Sequence, residues 1–412
     1  MIDAVNSFSM RYSIIFLMIF FAACSNKTEQ SLVQEEISTI YVNLDEAAPL
    51  HMSEFISEIE YLPLETPNDE PIGRIRKIIL SDDFIGLHDA SRNSVWLFTH
   101  EGDFINRIRI PHGKGPGELE HLSDVIITSD QEIHALGAYR INIYNIEGEF
   151  IEQVEKNYLV YRFIYDPESG NYIGYTNNTT NITLPEGHSE KNLLIFDKKG
   201  SIQNGFIPVP KGRVNMGFGV PNNFPEIRDQ VRFFSHLNDT VYTLDGESVY
   251  PKYILDYGKN SIPAEVFDRR SNYSQLSYEW LEFSENELRD KNYVRYLTFF
   301  NETDSHIFFR IGTGANSFNV LYNRDLNETK VGTNRLINDL DFNYVSFIYE
   351  SSDKALYTYI ESYDLIHHLK KMKEDEPEKY EDPALDKLKE VASQLSEDSN
   401  PVLQILKLKN PN

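Results

Sequence analysis

The sequence predicts an all-β fold: a six-bladed β-propeller of four-stranded antiparallel blades, with a helical insertion and a helical segment near the C-terminus. The composition favours strands and turns, because the 412 residues include 25 Tyr, 25 Phe, 21 Gly and 18 Pro. A hairpin pattern also recurs along the chain, and its first four copies start 46, 52 and 48 residues apart. Units of roughly 40 to 50 residues with four strands each are typical of propellers.

Each of the five copies of the hairpin pattern places a residue suited to positive φ in its turn. In the first three copies, two short apolar strands flank a polar turn that contains Gly102, Gly148 or Gly200. Glycine adopts positive φ without steric cost, as tight hairpin turns require. The fourth copy has a shorter turn around Gly246, and the fifth has Asn327, the next best residue for left-handed φ. The copies cover 95–108, 141–154, 193–206, 241–255 and 320–331.

Other segments supply the remaining strands of the repeated units. Strand candidates between the hairpins are 75–80, 84–88, 124–128, 132–136, 161–165 and 172–176. The interval before the fifth copy is 79 residues long, because residues 262–290 have helical periodicity and form the predicted insertion. Its apolar helical face contains Val266, Phe267, Leu276, Trp280, Leu281 and Leu288.

The sixth unit is predicted to combine the two ends of the chain. Residues 345–349, 355–360 and 402–407 have strand character, and the charged segment 361–399 between them is predicted to be mostly helical. Either 60–64 or 39–44 supplies the missing strand. Mixing the two ends in this way closes the ring and leaves no free sheet edge.

The N-terminus has the features of an export signal. Arg11 precedes an apolar run at 14–21 that is too short to span a bilayer as a stable helix. Residues 21–24, Phe-Ala-Ala-Cys, resemble the lipobox of bacterial lipoproteins, which implies cleavage before Cys24 and acylation of that cysteine. The alternative is a secreted protein with an incidental cysteine. Met10 is a better initiator than Met1, because residues 1–9 add an aspartate and no positive charge.

The predicted organisation is a signal peptide at 1–23, a flexible tether at 24–38 and a single propeller domain at 39–412. Several acyl chains on Cys24 would hold the protein firmly on a membrane surface. Ser25 lacks the acidic character associated with retention at the inner membrane, so the expected location is the outer membrane, with the domain facing the periplasm or the cell surface. The net charge of −25 argues against nucleic acid as a partner.

Several segments of the mature chain form a specific combination of motifs. They are YLPLET at 61–66, Ile72, Gly73 and Ile75, HGKGPGEL at 112–119, NDTVY at 238–242, VYPKYILDYG at 249–258 and NPVLQILK at 400–407. Together they resemble a family of six-bladed, NHL-like β-propeller lipoproteins from gut-type Gram-negative bacteria. The resemblance covers nearly the whole mature chain and implies the six-bladed fold and the lipoprotein route. The family has no settled biochemical activity.

Three arginines flanked by aromatic residues are the main binding candidates. If Arg162, Arg232 and Arg310 face the central channel, their guanidinium groups can hold an anionic or polyhydroxyl ligand. The alternative is that they pair with acidic residues between blades. Lys114 in the glycine-rich segment is a further anion-binding candidate, although that segment lacks the Ser or Thr of a phosphate loop and is better explained as a connector.

The sequence also contains candidate residues for a modification site and for a metal site. Asp239, Thr240 and Val241 match a short acidic-then-hydroxyl pattern for O-glycosylation at Thr240, and the alternative is an ordinary turn. The histidines at 88, 112, 121 and 134 raise the question of a metal, but no pair of ligands repeats from unit to unit. His367 and His368 lie on the charged helical segment.

Two classes of function stay open. The first is a non-enzymatic binding or scaffold lipoprotein that recognises a glycan, a peptide or another envelope protein. The second is a metal-dependent hydrolase or lyase of the lactonase-propeller type, acting in the central channel. No catalytic residue, metal ligand or cofactor is assigned, because the sequence contains neither a recurring catalytic set nor a Gly-x-Ser-x-Gly elbow.

Overall fold

The structure is a computed structural model that describes residues 37–219, 222–227, 230–246, 248–272, 277–314, 316–345 and 347–409. The predicted signal peptide, Cys24 and the tether up to residue 36 lie outside the described residues. So do Leu276 and the side chains of Trp280 and Leu281.

The described chain is mostly β, and its strands form six sheets. The N-terminal strands are β1 (Ser38–Tyr41), β2 (Ala48–His51) and β3 (Ile56–Pro63). Sheet 1 contains β4 (Ile75–Leu80), β5 (Ile85–Asp89), β6 (Ser94–Phe98) and β7 (Phe104–Arg109). Sheet 2 contains β8 (Asp124–Ile127), β9 (Ile133–Leu136), β10 (Arg140–Tyr144) and β11 (Phe150–Glu155). Sheet 3 contains β12 (Arg162–Asp166), β13 (Asn171–Tyr175), β14 (Lys191–Phe196) and β15 (Ile202–Pro208).

The remaining sheets follow the same order along the chain. Sheet 4 contains β16 (Glu226–Ile227), β17 (Gln230–Phe233), β18 (Thr240–Asp245) and β19 (Ser248–Asp256). Sheet 5 contains β20 (Tyr296–Glu302), β21 (His306–Gly312), β22 (Ser317–Asn323) and β23 (Glu328–Ile337). Sheet 6 contains β24 (Glu350–Ser351), β25 (Ala355–Ile360), β26 (Val402–Leu408) and, as its fourth strand, β3.

The helices lie between strands. Helices α1 (Ala264–Arg270) and α2 (Tyr278–Asp290) connect sheets 4 and 5. Helices α3 (Ser362–Asp375), α4 (Pro377–Tyr380) and α5 (Asp386–Ser393) connect β25 and β26. No helix in the described part of the chain is both long and apolar enough to cross a membrane.

Six clusters of buried apolar side chains join the sheets in a closed cycle. Each cluster draws from two neighbouring sheets, and representative pairs are Leu97 with Ile133, Ile143 with Phe163, Ile195 with Phe233, Val241 with Phe309, Phe308 with Leu356 and Leu403 with Leu87. All residues of β5 and β6 are buried, because neighbouring sheets cover both faces of the strands. First strands contact one another, β8 with β12 and β24 with β4, so they surround the centre of the cycle. This arrangement is propeller-like.

The N-terminal segment follows the outer edges of three consecutive sheets. Strand β1 pairs in parallel with β19 of sheet 4, and β2 pairs in parallel with β23 of sheet 5. Strand β3 then pairs antiparallel with β26 and completes sheet 6. Of the two segments predicted to complete the last unit, the one around 60–64 does so, and Thr39 pairs with Ile254 instead.

The predicted positive φ values in the hairpin turns are confirmed. Gly102, Gly148, Gly200, Gly246 and Asn327 have φ of 93°, 89°, 74°, 53° and 54°. Several of these turns also touch the outer strand of the preceding sheet. A Cβ atom on Gly102 would lie 2.2 Å from the carbonyl oxygen of Pro63 in β3. The turns at Gly102 and Gly200 therefore require glycine both for the backbone conformation and for close contact between sheets.

Substituting Gly200 tests this second requirement. A Cβ atom there would lie 1.9 Å from the carbonyl oxygen of Glu155 in β11, so Gly200→Ala must displace that strand. We expect Gly200→Ala to lower the free energy of unfolding by about 3 kcal/mol in urea titrations. Gly246→Ala is the matched control, because φ is also positive there and nothing lies within 4 Å. It should cost only about 1 kcal/mol; equal losses in both variants would mean that the contact is unimportant.

Candidate functional site

A β-bulge in the first strand of sheet 1 sets the position of Arg76. Ile75 pairs with Asp89 and Lys77 with His88, so Arg76 is the extra residue between them. A bulge re-aims side chains. The side chain of Lys77 turns towards sheet 2, where its Nζ lies 3.2 Å from Oδ1 of Asp124, while Arg76 lines a cavity.

Arg162 brings a second guanidinium group to the same cavity, whose volume is about 540 Å³. It is the first residue of β12, and its Nη1 donates hydrogen bonds to the carbonyl oxygens of Ser123 and Tyr161 at 2.9 and 2.6 Å. Aromatic and amide side chains complete the walls, and they include Tyr161, Tyr175, Phe218, Asn177, Asn215 and Asn223. We call this the basic cavity. Its volume lies in the range that is usual for small-molecule sites.

The wall at 215–219 is held in place by asparagine side chains. Asn177 donates from Nδ2 to the carbonyl oxygen of Phe218 at 3.1 Å and accepts from the Phe218 N–H at 3.2 Å. Asn178 donates to the carbonyl oxygen of Met216 at 3.0 Å. Both asparagines have positive φ, which this residue type tolerates better than most. The wall is therefore built before any ligand arrives.

The helices between sheets 4 and 5 support this wall from behind. Met216 shares a buried cluster with Val266 and Phe267 of α1 and Leu288 of α2, and Phe218 packs against that cluster. Arg270 of α1 donates a hydrogen bond to the carbonyl oxygen of Gly212. The helical insertion thus positions a wall of the basic cavity.

Two positive charges, those of Arg76 and Arg162, lie together in the basic cavity. None of its described lining residues is Asp or Glu. Burial, and then the neighbouring charge of Arg162, lower the pKa of Arg76. The carboxylate of Asp124 acts in the opposite direction, but it already accepts hydrogen bonds from Lys77 Nζ and from the N–H of Phe163. An arginine stays protonated, so the cavity is suited to an anion.

Asn223 belongs to the wall of the basic cavity and is held from inside the protein. It is fully buried, and its Nδ2 donates to the carbonyl oxygen of Phe234 at 2.8 Å. Its Oδ1 has no hydrogen-bond partner and is shielded from the cavity. Asn223 therefore shapes the wall and does not contact a ligand directly.

A second cavity of about 540 Å³ shares Gly219 with the basic cavity and contains Arg310. Arg310 lies on β21, donates to Oδ1 of Asn334 at 2.6 Å and stacks 4.5 Å above the ring of Phe347. Burial lowers its pKa. Arg335 and the aromatic residues Tyr344, Phe347 and Tyr349 also line this space, and no described lining residue is acidic. We call it the adjacent cavity.

The opposite ends of the first strands face a third space of different charge. Arg76 and Arg162 are near the beginnings of β4 and β12, whereas Leu80 and Tyr165 near their ends line a cavity of about 730 Å³. It contains the acidic residues Asp82, Asp83, Glu226, Glu350 and Asp353, together with Lys77 and Lys354. We call it the acidic cavity.

Glu350 of the acidic cavity is expected to make stability depend on pH. Burial raises its pKa from 4.5 to about 7, although hydrogen bonds from Ser351 N–H and Asn222 Nδ2 oppose the shift. Because the folded-state pKa is the higher one, its contribution to stability is fully present below about pH 4.5 and is lost as pH rises through about 7. The pKa of Glu361, also raised to about 7 by burial, acts in the same window.

Urea unfolding between pH 4.5 and 8 would test this expectation. Glu350→Gln should flatten the loss of stability across the window, and the double variant with Glu361→Gln should flatten it further. Glu149→Gln, at an exposed hairpin turn, is the control and should leave the slope unchanged. An unaltered slope in the double variant would contradict the assignment.

Arg232 lies apart from these cavities, in a buried ion pair between sheets 4 and 5. Its Nε lies 3.0 Å from Oε2 of Glu302, and both side chains are buried. Its Nη1 donates to Gln230 Oε1 and Thr243 Oγ1. The three arginines are therefore not brought together: Arg162 and Arg310 line neighbouring cavities, and Arg232 makes the contact between sheets that the alternative interpretation describes.

Lys114 is exposed in the connector between sheets 1 and 2, and its Nζ lies 3.3 Å from Glu120 Oε1. The connector is closed by its own contacts. Glu118 Oε2 accepts from the Gly115 N–H at 2.8 Å, and the Gly117 carbonyl accepts from Tyr144 Oη at 2.6 Å. These contacts account for the glycines without a ligand.

The other predicted positions are dispersed. Thr240 begins β18, and its Oγ1 donates to Asp239 Oδ1 at 3.0 Å. His134 is buried, and its ring nitrogens lie 3.2 Å from Glu132 Oε2 and 3.1 Å from Tyr172 Oη. Within the described ranges, no group of three or more His, Cys, Asp and Glu side chains is placed to hold a metal. Cys24 lies outside the described residues.

Arg76, Arg335 and Asn223 were missed by the sequence reasoning. Arg76 is in the strand segment IRKIIL, where simple alternation would put either Arg76 or Lys77 at the surface, and the bulge is not visible in the sequence. One signal was available: Arg76 and Arg162 each stand at the beginning of the first strand of a unit. Nothing comparable marks Arg335 or Asn223.

Comparisons with known proteins agree with the fold. The family model described as "Domain of unknown function (DUF4934)" matches residues 36–407. A crystal structure of a Bacteroides fragilis protein, described as exported, has a TM-score of 0.68 at 17% identity and covers 90% of this chain and 100% of that chain. This likeness shows a shared fold.

Two further solved structures are more distant. A member of the DUF4221 family from Bacteroides vulgatus has a TM-score of 0.46 at 11% identity, with 86% of this chain and 98% of that chain covered. Virginiamycin B lyase from Staphylococcus aureus has a TM-score of 0.33 at 13% identity, with 66% and 73% covered. No curated protein matches the chain.

Proposed function

We propose that this chain, which belongs to the family described as domain of unknown function DUF4934, is an exported lipoprotein whose propeller binds an anionic ligand in the basic cavity. The ligand is a small molecule or the end of a larger one, because the site is a cavity rather than a flat face. The role is binding, as in the first of the two classes of function that the sequence left open.

The observation that carries this proposal is that Arg76 and Arg162 lie together in a space whose described lining residues include no carboxylate. The protein has a net charge of −25, so acidic partners for arginine are abundant elsewhere. Among the described residues, Arg76 has neither an ion pair nor a hydrogen bond from its side chain. Two guanidinium groups at one site favour a carboxylate or phosphate group on the ligand, which relieves their mutual repulsion.

The architecture and location belong to the same proposal. Six sheets in a closed cycle support a six-bladed propeller, formed as one domain from about residue 39 to the C-terminus. The lipobox-like residues before Cys24 support acylation there and anchoring at the outer membrane, with the domain on the periplasmic or outer side. Mass spectrometry of the membrane-extracted protein would test acylation, and Cys24→Ser should release it.

Isothermal titration against a panel of anions tests the binding function. The panel contains D-galacturonate, citrate, inorganic phosphate and an acidic hexapeptide, with D-galactose as the neutral match for the first. We expect at least one anion to bind, more weakly as salt rises. Arg76→Gln should weaken that binding by about 10-fold or more, because a charge-assisted hydrogen bond contributes about 1.5–3 kcal/mol.

Arg109→Gln provides the matched control. Arg109 is an exposed arginine on the outer strand β7 of the same sheet, where it pairs with Glu70. Its replacement removes the same charge but should leave binding unchanged. The proposal would fail if no member of the panel bound, or if Arg76→Gln and Arg109→Gln had the same effect.

A further inference from the structure

The basic cavity and the adjacent cavity have the same chemistry and meet at Gly219. Each contains two arginines, Arg76 with Arg162 and Arg310 with Arg335, and their described walls contain no carboxylate. A single carboxylate would reach the arginines of only one cavity. The presence of arginines without carboxylates in two neighbouring cavities that share Gly219 indicates a ligand with a repeated anionic group.

We propose that the ligand is an acidic oligosaccharide in which at least two sugar residues carry a carboxylate, and that it lies across both cavities. This inference rests on the proposed function and names its ligand class. One carboxylate binds to Arg76 and Arg162, and a second binds to Arg310 and Arg335.

Exposed aromatic rings support a carbohydrate in this position. Tyr344 and Phe347 of the adjacent cavity are each 53% exposed, and Tyr161 of the basic cavity is 37% exposed. Large aromatic side chains left in contact with water commonly mark ligand-binding grooves. Each aromatic ring offers an apolar face on which the C–H side of a sugar can pack. The hydroxyl groups at the edge of the sugar then stay free to form hydrogen bonds.

Neutral polar side chains in the walls of both cavities can form hydrogen bonds with the hydroxyl groups of such a ligand. Asn177 and Thr179 line the basic cavity, and Ser317, Asn319 and Asn334 line the adjacent cavity. These side chains suit a ligand that carries many hydroxyl groups. A bound peptide would instead be expected to pair its backbone with a strand edge, and β12 and β20 each pair with only one strand in the described sheets. An acidic hexapeptide is therefore the competing ligand in the test.

Titration with oligogalacturonates of one to six residues tests the inference. We expect affinity to rise by at least about 10-fold between the monomer and the longer oligomers, because only the latter reach both arginine pairs. Arg335→Gln should weaken the hexamer by about 10-fold and leave the monomer unchanged. Arg335 is exposed, so this substitution should not affect folding. Arg109→Gln is the control for removal of an exposed charge.

A second variant tests the contribution of the aromatic rings, and ligands of matched length or charge test the chemical class of the ligand. Tyr344→Ala should weaken the hexamer and leave an acidic hexapeptide of equal charge unaffected. Neutral galacto-oligosaccharides of the same length should not bind. The inference is overturned if monomer and hexamer bind equally and Arg335→Gln changes neither, or if the hexapeptide matches the hexamer in affinity and in dependence on Arg335. In both cases Arg76→Gln would still weaken anion binding, and the proposed function would be unaffected. If Arg76→Gln did not weaken anion binding, the proposed function itself would be refuted.

Discussion

A chain that ends at Pro401 is expected to fail to fold. The missing strand β26 lies between β25 and β3 and is hydrogen-bonded to both. It supplies Leu403 to the cluster between sheets 6 and 1 and Leu406 to the cluster between sheets 5 and 6, and both side chains are fully buried. Its removal therefore opens the cycle at two interfaces.

The expected loss exceeds the stability of a typical domain. Removing a buried leucine side chain costs about 2–5 kcal/mol, and the deletion removes two of them together with the ladder bonds on both edges. Native domains are stable by only about 5–15 kcal/mol. Circular dichroism should show loss of the β signal, and urea should produce no cooperative transition.

Two comparisons make this experiment specific. A chain that lacks only residues 410–412 should fold normally, because β26 ends at Leu408. A synthetic peptide covering 400–412, added to the truncated chain, should restore the transition by inserting between β25 and β3. A truncated chain with the urea midpoint of the full-length protein would show that closure by the C-terminal strand is unnecessary.

The features that could be predicted from the sequence are those set by local backbone chemistry. The glycine at 102, 148, 200 and 246 and the asparagine at 327 mark turns whose φ is fixed by four or five neighbouring residues. The hairpins they join are the third and fourth strands of sheets 1 to 5. Residues 39–44 were a strand candidate, but the pairing of β1 with β19 was not predicted, and β2 escaped prediction altogether. Both parallel pairings depend on contacts more than 200 residues away in the sequence.

The candidate site was only partly predictable for a related reason. Arg162 and Arg232 have similar aromatic neighbours in the sequence, yet Arg162 begins a first strand at a cavity and Arg232 lies on a second strand facing sheet 5. Arg232 differs from Arg162 in having Glu302 as its buried ion-pair partner, and Glu302 is 70 residues away in the sequence. Local pattern identifies such arginines as candidates, and tertiary contacts decide between binding and structural roles.

Glu302→Ala is expected to destabilise the protein by about 3–5 kcal/mol, because it leaves the charge of Arg232 buried without its carboxylate. The carboxylate of Glu302 also lies 3.2 Å from Arg324 Nη1 and accepts a hydrogen bond from Tyr253 Oη at 2.5 Å. It thus connects β17 and β19 of sheet 4 with sheet 5. Burial and the neighbouring Glu302 charge raise the pKa of Tyr253, so its hydroxyl remains a donor at neutral pH.

The loss of stability in Glu302→Ala is large because the Arg232–Glu302 pair is buried, and an exposed ion pair should contribute much less. Glu54→Ala removes the carboxylate of a pair whose partner, Lys330, is 60% exposed, and it should cost less than about 1 kcal/mol. Replacing both charges, with Arg232→Met and Glu302→Leu, should recover most of the stability lost in Glu302→Ala, because no unpaired charge then remains between the sheets. Urea titration of the unmodified protein, Glu302→Ala, Glu54→Ala and the double variant gives the four unfolding free energies to compare. If Glu302→Ala cost no more than Glu54→Ala, water would have to reach Arg232, and the contact between sheets 4 and 5 would be looser than the buried pair implies.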